Sequence, residues 1–242
     1  MSDAHEHPVE GGDVESPPSA VVEHFFGARS GLARAFAEHL ATSAVTRGLI
    51  GPRELPRLWS RHILNCAAVS PLVPAQARLA DVGSGAGLPG VVIALARPDV
   101  VVTLVEPLLR RVTWLEEVSA DVGLTNVRVV RARAEELPKG AWDVATARAV
   151  APLDKLTRWC MPLVRPGGLM LAIKGRSAAD ELVAAQDGLR RAGASTWRVV
   201  ELAGDVLDEP TIVVEAHKGE SLTVAGTRRP AARSSSRGSR RR

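Results

Sequence analysis

The chain predicts an α/β fold: a mostly parallel, seven-stranded sheet covered by helices, with further helices in front of it. Three observations carry that prediction. From about residue 78, strand-like and helix-like runs alternate, the order that right-handed crossovers of a parallel sheet require. The run Val100–Val105 is apolar and rich in β-branched residues, as suits a strand buried on both faces. The last two strand-like runs follow one another with no helix between them, so one of them returns antiparallel.

Each element has its own local reason. Ala20 to Ala41 and Trp59 to Val69 have helical patterning, separated by a loop that holds Gly48, Gly51, Pro52 and Pro56. The sheet opens with strand 79–82, followed by helix 88–96, strand 100–105, helix 108–122 and strand 127–130. Strand 142–146 comes next, then helix 153–163. A fifth strand, 169–173, follows the turn Pro166-Gly167-Gly168. Helix 178–192 precedes the closing strands 196–202 and 211–216.

Length and composition bound the organisation. With 242 residues, 45% of them hydrophobic, the chain suits one domain with a substantial core. That domain is expected over 20–216, as a helical extension (20–77) and a ligand-binding core (78–216). Residues 1–19 read as a disordered acidic tail, carrying Asp3, Glu6, Glu10, Asp13 and Glu15 with no Lys or Arg. Residues 217–242 read as a disordered basic tail, with Lys218 and seven arginines against Glu220. That tail either adds non-specific affinity for RNA phosphate or is a dispensable extension. Cys66 and Cys160 form no C-x-x-C, which argues against a disulfide scaffold or a zinc site. No apolar run approaches about 18 residues and the N-terminus is not signal-like, so a soluble, cytoplasmic protein without membrane contact is expected.

The chemistry concentrates in Leu79-Ala-Asp-Val-Gly-Ser-Gly-Ala-Gly-Leu-Pro-Gly90. Asp81 stands where the first strand runs out. Gly83, Gly85 and Gly87 then alternate with small residues ahead of a short helix, so backbone can approach a ligand closely beside partly positive N–H groups. A dinucleotide fingerprint would need glycine at 88, where this chain has Leu88. An acid followed by G-x-G-x-G is instead the pattern of S-adenosylmethionine sites. Glu106 ends the second strand, where a carboxylate can accept hydrogen bonds from both ribose hydroxyls of an adenosine. Its alternative role is helix-start acid, because Pro107 suits the first helical position.

With D-V-G-S-G-A-G-L-P-G, V-E-P-L-L-R-R-V-T-W-L, R-A-R-A-E-E-L, A-R-A-V-A-P-L and A-I-K-G in place, the chain closely resembles the RsmG (GidB) family over roughly residues 20–216. W-S-R-H-I-L-N-C at 59–66 is similar to the family's R-H-I-x-D-S segment, with Asn65 and Cys66 where Asp and Ser are usual. The family's Y-N-L-T stretch has no counterpart around Arg47 to Gly51. The resemblance implies a class I S-adenosylmethionine-dependent methyltransferase fold, Rossmann-like. It further implies methyl transfer to N7 of a guanine in 16S ribosomal RNA (guanine 527), and a partner that is that RNA or the small ribosomal subunit. A monomer that binds no metal is expected.

The same resemblance places cofactor contacts at Gly83, Leu88, Ala134-Glu135 and Arg148. Glu135 has the rival role of helix-capping acid. Arg148, after the fourth strand, would bind the methionine carboxylate or an RNA phosphate, or else be a solvated loop arginine. Lys174, ending the fifth strand, would grip phosphate or guanine O6, or be solvated. His62 either contacts ligand or serves the structure of its helix. Arg110 and Arg111 read as a solvated or RNA-facing surface. The segment Ala147-Arg148-Ala149-Val150-Ala151-Pro152 lacks the [N/D]-P-P-[Y/F] loop of exocyclic-amine methyltransferases. Guanine N7 already offers a lone pair, so no acid/base pair is expected, and Arg148 and Lys174 are the only catalytic candidates. The remaining alternatives are a methyltransferase for another substrate, an NAD-dependent oxidoreductase and a non-catalytic RNA-binding shell.

Overall fold

The computed structural model describes residues 13–148 and 151–220. Seven strands form its centre: β1 (Arg78–Val82), β2 (Val101–Val105), β3 (Val127–Val130), β4 (Trp142–Arg148), β5 (Val164–Lys174), β6 (Ala194–Leu202) and β7 (Thr211–Lys218). They lie in the order β3-β2-β1-β4-β5-β7-β6. The first five run parallel, and β7 inserts antiparallel between β5 and β6. This is the class I methyltransferase architecture, and the carboxyl ends of β1 to β5 all meet along one edge.

Helices α1 (Ser19–Phe26), α2 (Ser30–His39), α3 (Asn65–Ala67), α4 (Gly90–Ala96) and α5 (Leu109–Asp121) precede or interleave with the first strands. Helices α6 (Leu153–Cys160) and α7 (Ala178–Arg191) follow β4 and β5. Strand side chains alternate between two cores, as a period of two demands. Leu79, Leu104, Val144 and Leu171 join the core of α1, α2, α4 and α5. Ala80, Ala145, Ala147 and Met170 join that of α6 and α7. On the other face Trp114 of α5 is buried, and its indole N–H donates to Ser43 Oγ at 3.0 Å, fixing α5 against the N-terminal helices.

Several expectations shift in detail. The single helix expected over 20–41 breaks after Phe26, because Gly27 adopts φ +49°, a left-handed conformation that ends the regular turn. The helix expected over 59–69 is a wide, π-type stretch, Leu58–Leu64, that continues into α3. Pro166-Gly167-Gly168 is not a turn before β5. Trp142 pairs with Val164 and Val144 with Leu169, so 165–168 loop out within one longer strand. Strand β4 extends through Arg148, which lies opposite Ile173. The acidic segment is docked where it is described: Glu15 Oε2 accepts the Trp59 and Ser60 backbone N–H groups at 2.8 and 2.9 Å. His217 and Lys218, expected in the basic tail, belong to β7. Residues 1–12 and 221–242, which hold most of both expected tails, lie outside the described residues.

Candidate cofactor site

The glycine loop connects β1 to α4 at the carboxyl edge. Its first amides continue the sheet, with Gly83 and Ser84 N–H both donating to Val105 O at 2.9 and 3.1 Å. Gly83, Gly85 and Gly87 have φ of +74°, +56° and +80°. Two of these positions differ in what a side chain would meet. At Gly87 a Cβ would stand 2.6 Å from Val91 Cγ2, so glycine is needed there for close packing of loop on helix. At Gly85 the nearest atom among the described residues is Gly83 O at 3.8 Å, so a side chain there would enter open space. Leu88 packs against the first core, and the Leu88–Pro89 peptide bond is cis.

Two acids brace this loop from behind. Asp81 is fully buried, and its Oδ2 accepts the Gly90 N–H at 3.0 Å. Its Oδ1 has no partner among the described residues, and burial pushes its carboxyl up to about 7. Glu106 is also buried, with Oε2 accepting the Gly85 N–H at 3.0 Å and Oε1 the Leu108 N–H at 3.1 Å. The helix-start reading does not hold: α5 begins at Leu109 behind Leu108, with no side-chain cap, and Pro107 lies outside it. Glu106 instead ties the glycine loop to the segment that leads into α5, and a carboxylate still has further lone pairs to offer. Arg111 approaches Glu106 Oε2 at 3.6 Å with its own Nε buried. The expected solvated surface thus holds for Arg110, which is exposed, and not for Arg111.

Arg148 is half-buried and is not a solvated loop arginine. Its Nη2 lies 2.5 Å from His62 Nδ1, and Nη1 donates to Cys66 Sγ at 3.3 Å and His62 O at 3.4 Å. His62 Nε2 lies 2.8 Å from Glu54 Oε2. Burial and the Arg148 cation lower the His62 pKa, while the hydrogen bond from His62 keeps the Glu54 carboxyl low. A guanidinium only donates, so Nδ1 is the acceptor and the ring proton sits on Nε2, toward Glu54. Burial likewise raises the Cys66 thiol, and that of Cys160 to about 12.

Lys174 contradicts the phosphate-gripping expectation. It is almost buried, paired with Glu181 Oε2 at 2.7 Å and donating to Ala151 O at 3.2 Å. Its work is to hold β5, α7 and the segment after β4 together. Ala134 is buried and begins the helical turn Ala134–Glu136. The exposed Glu135 is not the capping acid; Glu136 Oε2 accepts the Arg133 N–H at 2.8 Å. Sequence reasoning missed Glu54 and Arg111 as partners. Long-range pairs such as Glu54–His62–Arg148 leave no spacing signature, although the His62 segment was already part of the resemblance.

A separate groove of about 500 Å³, lined by Arg47, Leu49, Leu109, Arg110 and Thr113, opens beside the first turn of α5 and shares no residue with the glycine loop. Among the described residues no group of three or more His, Cys, Asp or Glu is placed to hold a metal ion, and no helix is long and apolar enough to cross a membrane.

The chain matches the family GidB, rRNA small subunit methyltransferase G, over residues 30–208. It is 54% identical over 203 residues to a ribosomal RNA small subunit methyltransferase G of Nocardioides sp., covering 84% of this chain and 81% of that protein. The corresponding protein of Salinispora arenicola is 49% identical over 239 residues, 95% of this chain and 98% of its own length. Among solved structures, a predicted O-methyltransferase of Agrobacterium tumefaciens superposes with TM-score 0.52 at 19% identity, covering 65% of this chain and 81% of that one. A methyltransferase of Pyrococcus furiosus gives TM-score 0.50 at 14% identity, covering 63% and 80%. These structural likenesses bear on the fold alone. The sequence match along most of the chain does more: this protein belongs to the GidB family of rRNA small subunit methyltransferases G.

Proposed function

We propose that the protein transfers a methyl group from S-adenosylmethionine to N7 of a guanine in 16S ribosomal RNA, at the position corresponding to guanine 527, working as a monomer in the cytoplasm where ribosomes are made. One observation carries the cofactor's place. Gly85 faces open space at the edge where three adjacent strands end, with Asp81 one residue short of the end of β1, Glu106 just past β2 and Arg148 the last residue of β4. The groups there suit the ligand: Glu106 has lone pairs for ribose hydroxyls, and Arg148 keeps guanidinium N–H donors beyond those turned to His62 and Cys66 for a carboxylate. Gly83, Gly87 and Leu88 shape the cradle, with Ala134 and Glu135 at the adenine end. Among the described residues the exposed large apolar side chains are scattered (Val14, Val101, Val183, and Leu108 beside Leu109), which favours a monomer.

Bound S-adenosylmethionine supplies a methyl group on a positively charged sulfur. Guanine N7 brings its own lone pair, so the protein's task is alignment, holding the reacting atoms roughly 3 Å apart. Glu106→Ala removes the acceptor of two loop amides as well as the ribose partner. A charged hydrogen bond of about 1.5–3 kcal/mol corresponds to a tenfold to hundredfold loss of cofactor affinity. Calorimetry that finds less than a twofold loss leaves Glu106 as a brace of the loop only. The decisive assay incubates the purified protein, labelled S-adenosylmethionine and undermethylated small subunits, then maps the product by mass spectrometry. A methyl group on another base, or none, overturns the substrate assignment.

A further inference from the structure

Arg148 carries a long side chain, and its direction is not set by β4 alone. What holds it comes from the N-terminal layer, far away in sequence. His62 presents Nδ1 to the guanidinium, and that nitrogen can accept only while the ring proton resides on Nε2. Glu54 Oε2, 2.8 Å from Nε2, fixes that tautomer. Glu54 is in turn flanked by Arg57 at 3.1 Å and Arg61 at 3.8 Å, which keep it anionic. The segment bearing His62 is itself pinned at both ends. Glu15 accepts the Trp59 and Ser60 N–H groups, and Asn65 exchanges hydrogen bonds with Thr211 Oγ1 of β7 at 2.9 and 3.1 Å. The two departures from the family's pattern find their places here: Asn65 makes that clamp, and Cys66 turns its sulfur to Arg148.

We propose that Glu54 and His62 are positioning residues for Arg148: the imidazole, locked in its Nε2–H form, aims the guanidinium so that its remaining N–H donors face the methionine carboxylate of the cofactor. The N-terminal helical layer thereby sets cofactor affinity without touching the cofactor. This rests on the reading that Arg148 binds that carboxylate, and the two can be separated experimentally.

Calorimetric S-adenosylmethionine affinity of the full chain, with thermal unfolding alongside, tests the proposal through four variants. His62→Phe removes the acceptor and is expected to weaken binding about tenfold, the scale of one charge-assisted hydrogen bond. His62→Asn, whose amide oxygen can stand where Nδ1 stood, is expected to bind within about threefold of the parent protein. Arg148→Ala is expected to lose at least as much as His62→Phe, and the double variant His62→Phe/Arg148→Ala to be no weaker than Arg148→Ala alone. In Glu54→Ala, 15N NMR of His62 should change from one neutral tautomer to a mixture, with affinity down a few-fold. The proposal falls if His62→Phe binds normally, if His62→Asn is as weak as His62→Phe, if the two losses add in full, or if the His62 tautomer is indifferent to Glu54. An Arg148→Ala protein that binds normally sinks the carboxylate reading itself, and the positioning role with it.

Discussion

Gly85 in the loop and Gly90 at the first position of α4 stand five residues apart, yet substitutions there are expected to fail for opposite reasons. A Cβ on Gly85 meets nothing nearer than 3.8 Å among the described residues, so Gly85→Val keeps the core and loses S-adenosylmethionine. Its φ of +56° adds roughly 1–2 kcal/mol of backbone strain. A Cβ on Gly90 would collide with the Leu104 side chain and stand 2.6 Å from Asp81 Oδ2. Gly90→Ala should therefore destabilise the fold itself, by about 1–3 kcal/mol or more. Thermal unfolding and calorimetry on both variants check the contrast; a stable Gly90→Ala or a cofactor-binding Gly85→Val would contradict it. Asp81 adds a pH signature. Its folded pKa, about 7, exceeds the ordinary 3.8, so the stability tied to its protonated form is complete below pH 4 and is lost as pH rises toward 7. Asp81→Asn retains an acceptor for Gly90 and cannot ionise. The wild type should lose stability relative to this variant between pH 4 and 7, and parallel unfolding curves across that range would disprove the assignment.

At the level of elements, the N-terminal layer meets the closing hairpin through Asn65 and Thr211. Thr211 is fully buried and its hydroxyl both gives and takes a hydrogen bond. Thr211→Val keeps the shape and strands Asn65, so a loss of about 1–3 kcal/mol in denaturant unfolding is expected; an unchanged midpoint would show that the clamp carries no weight. The Asn65–Thr211 contact also shows why some features were readable in the sequence and others were not. Strands β1 to β3 and helix α5 were placed almost to the residue, because apolar runs and glycine punctuation are local signals. The break at Gly27 and the looped-out Pro166-Gly167-Gly168 depend on which φ the glycines adopt and on pairing with β4, which no single window encodes. The same division runs through the site. The glycine loop and Glu106 announce themselves by spacing. Lys174 looked like a ligand residue by position alone, and only the Glu181 partner in α7 reveals its structural work.

Across the whole molecule, the means of gripping RNA follow from what the composition omits. Phe and Trp make up 3% of the chain and Tyr is absent. Trp59, Trp114, Phe26 and Phe36 are buried, and Trp142, Trp159, Trp197 and Phe25 are half-buried. With no freely exposed Phe or Trp ring among the described residues, base stacking can supply little of the affinity. Cations must do it, and cations hold phosphate in proportion to the counterions they release. The seven arginines of residues 227–242 are the densest such group in the sequence. Deleting 227–242 should weaken binding to small-subunit RNA uniformly and lower the slope of log affinity against log salt by about 0.7–0.9 for each phosphate contact given up. The guanine that is methylated should stay the same, because an N7 in the deep, narrow groove of an RNA helix is reached only by displacing the base into the pocket. Filter binding over a salt series and mass mapping of the product read the two effects independently. A truncated protein that methylates a different guanine would mean that the tail takes part in choosing the base; an unchanged salt slope would mean that its arginines never meet the phosphates.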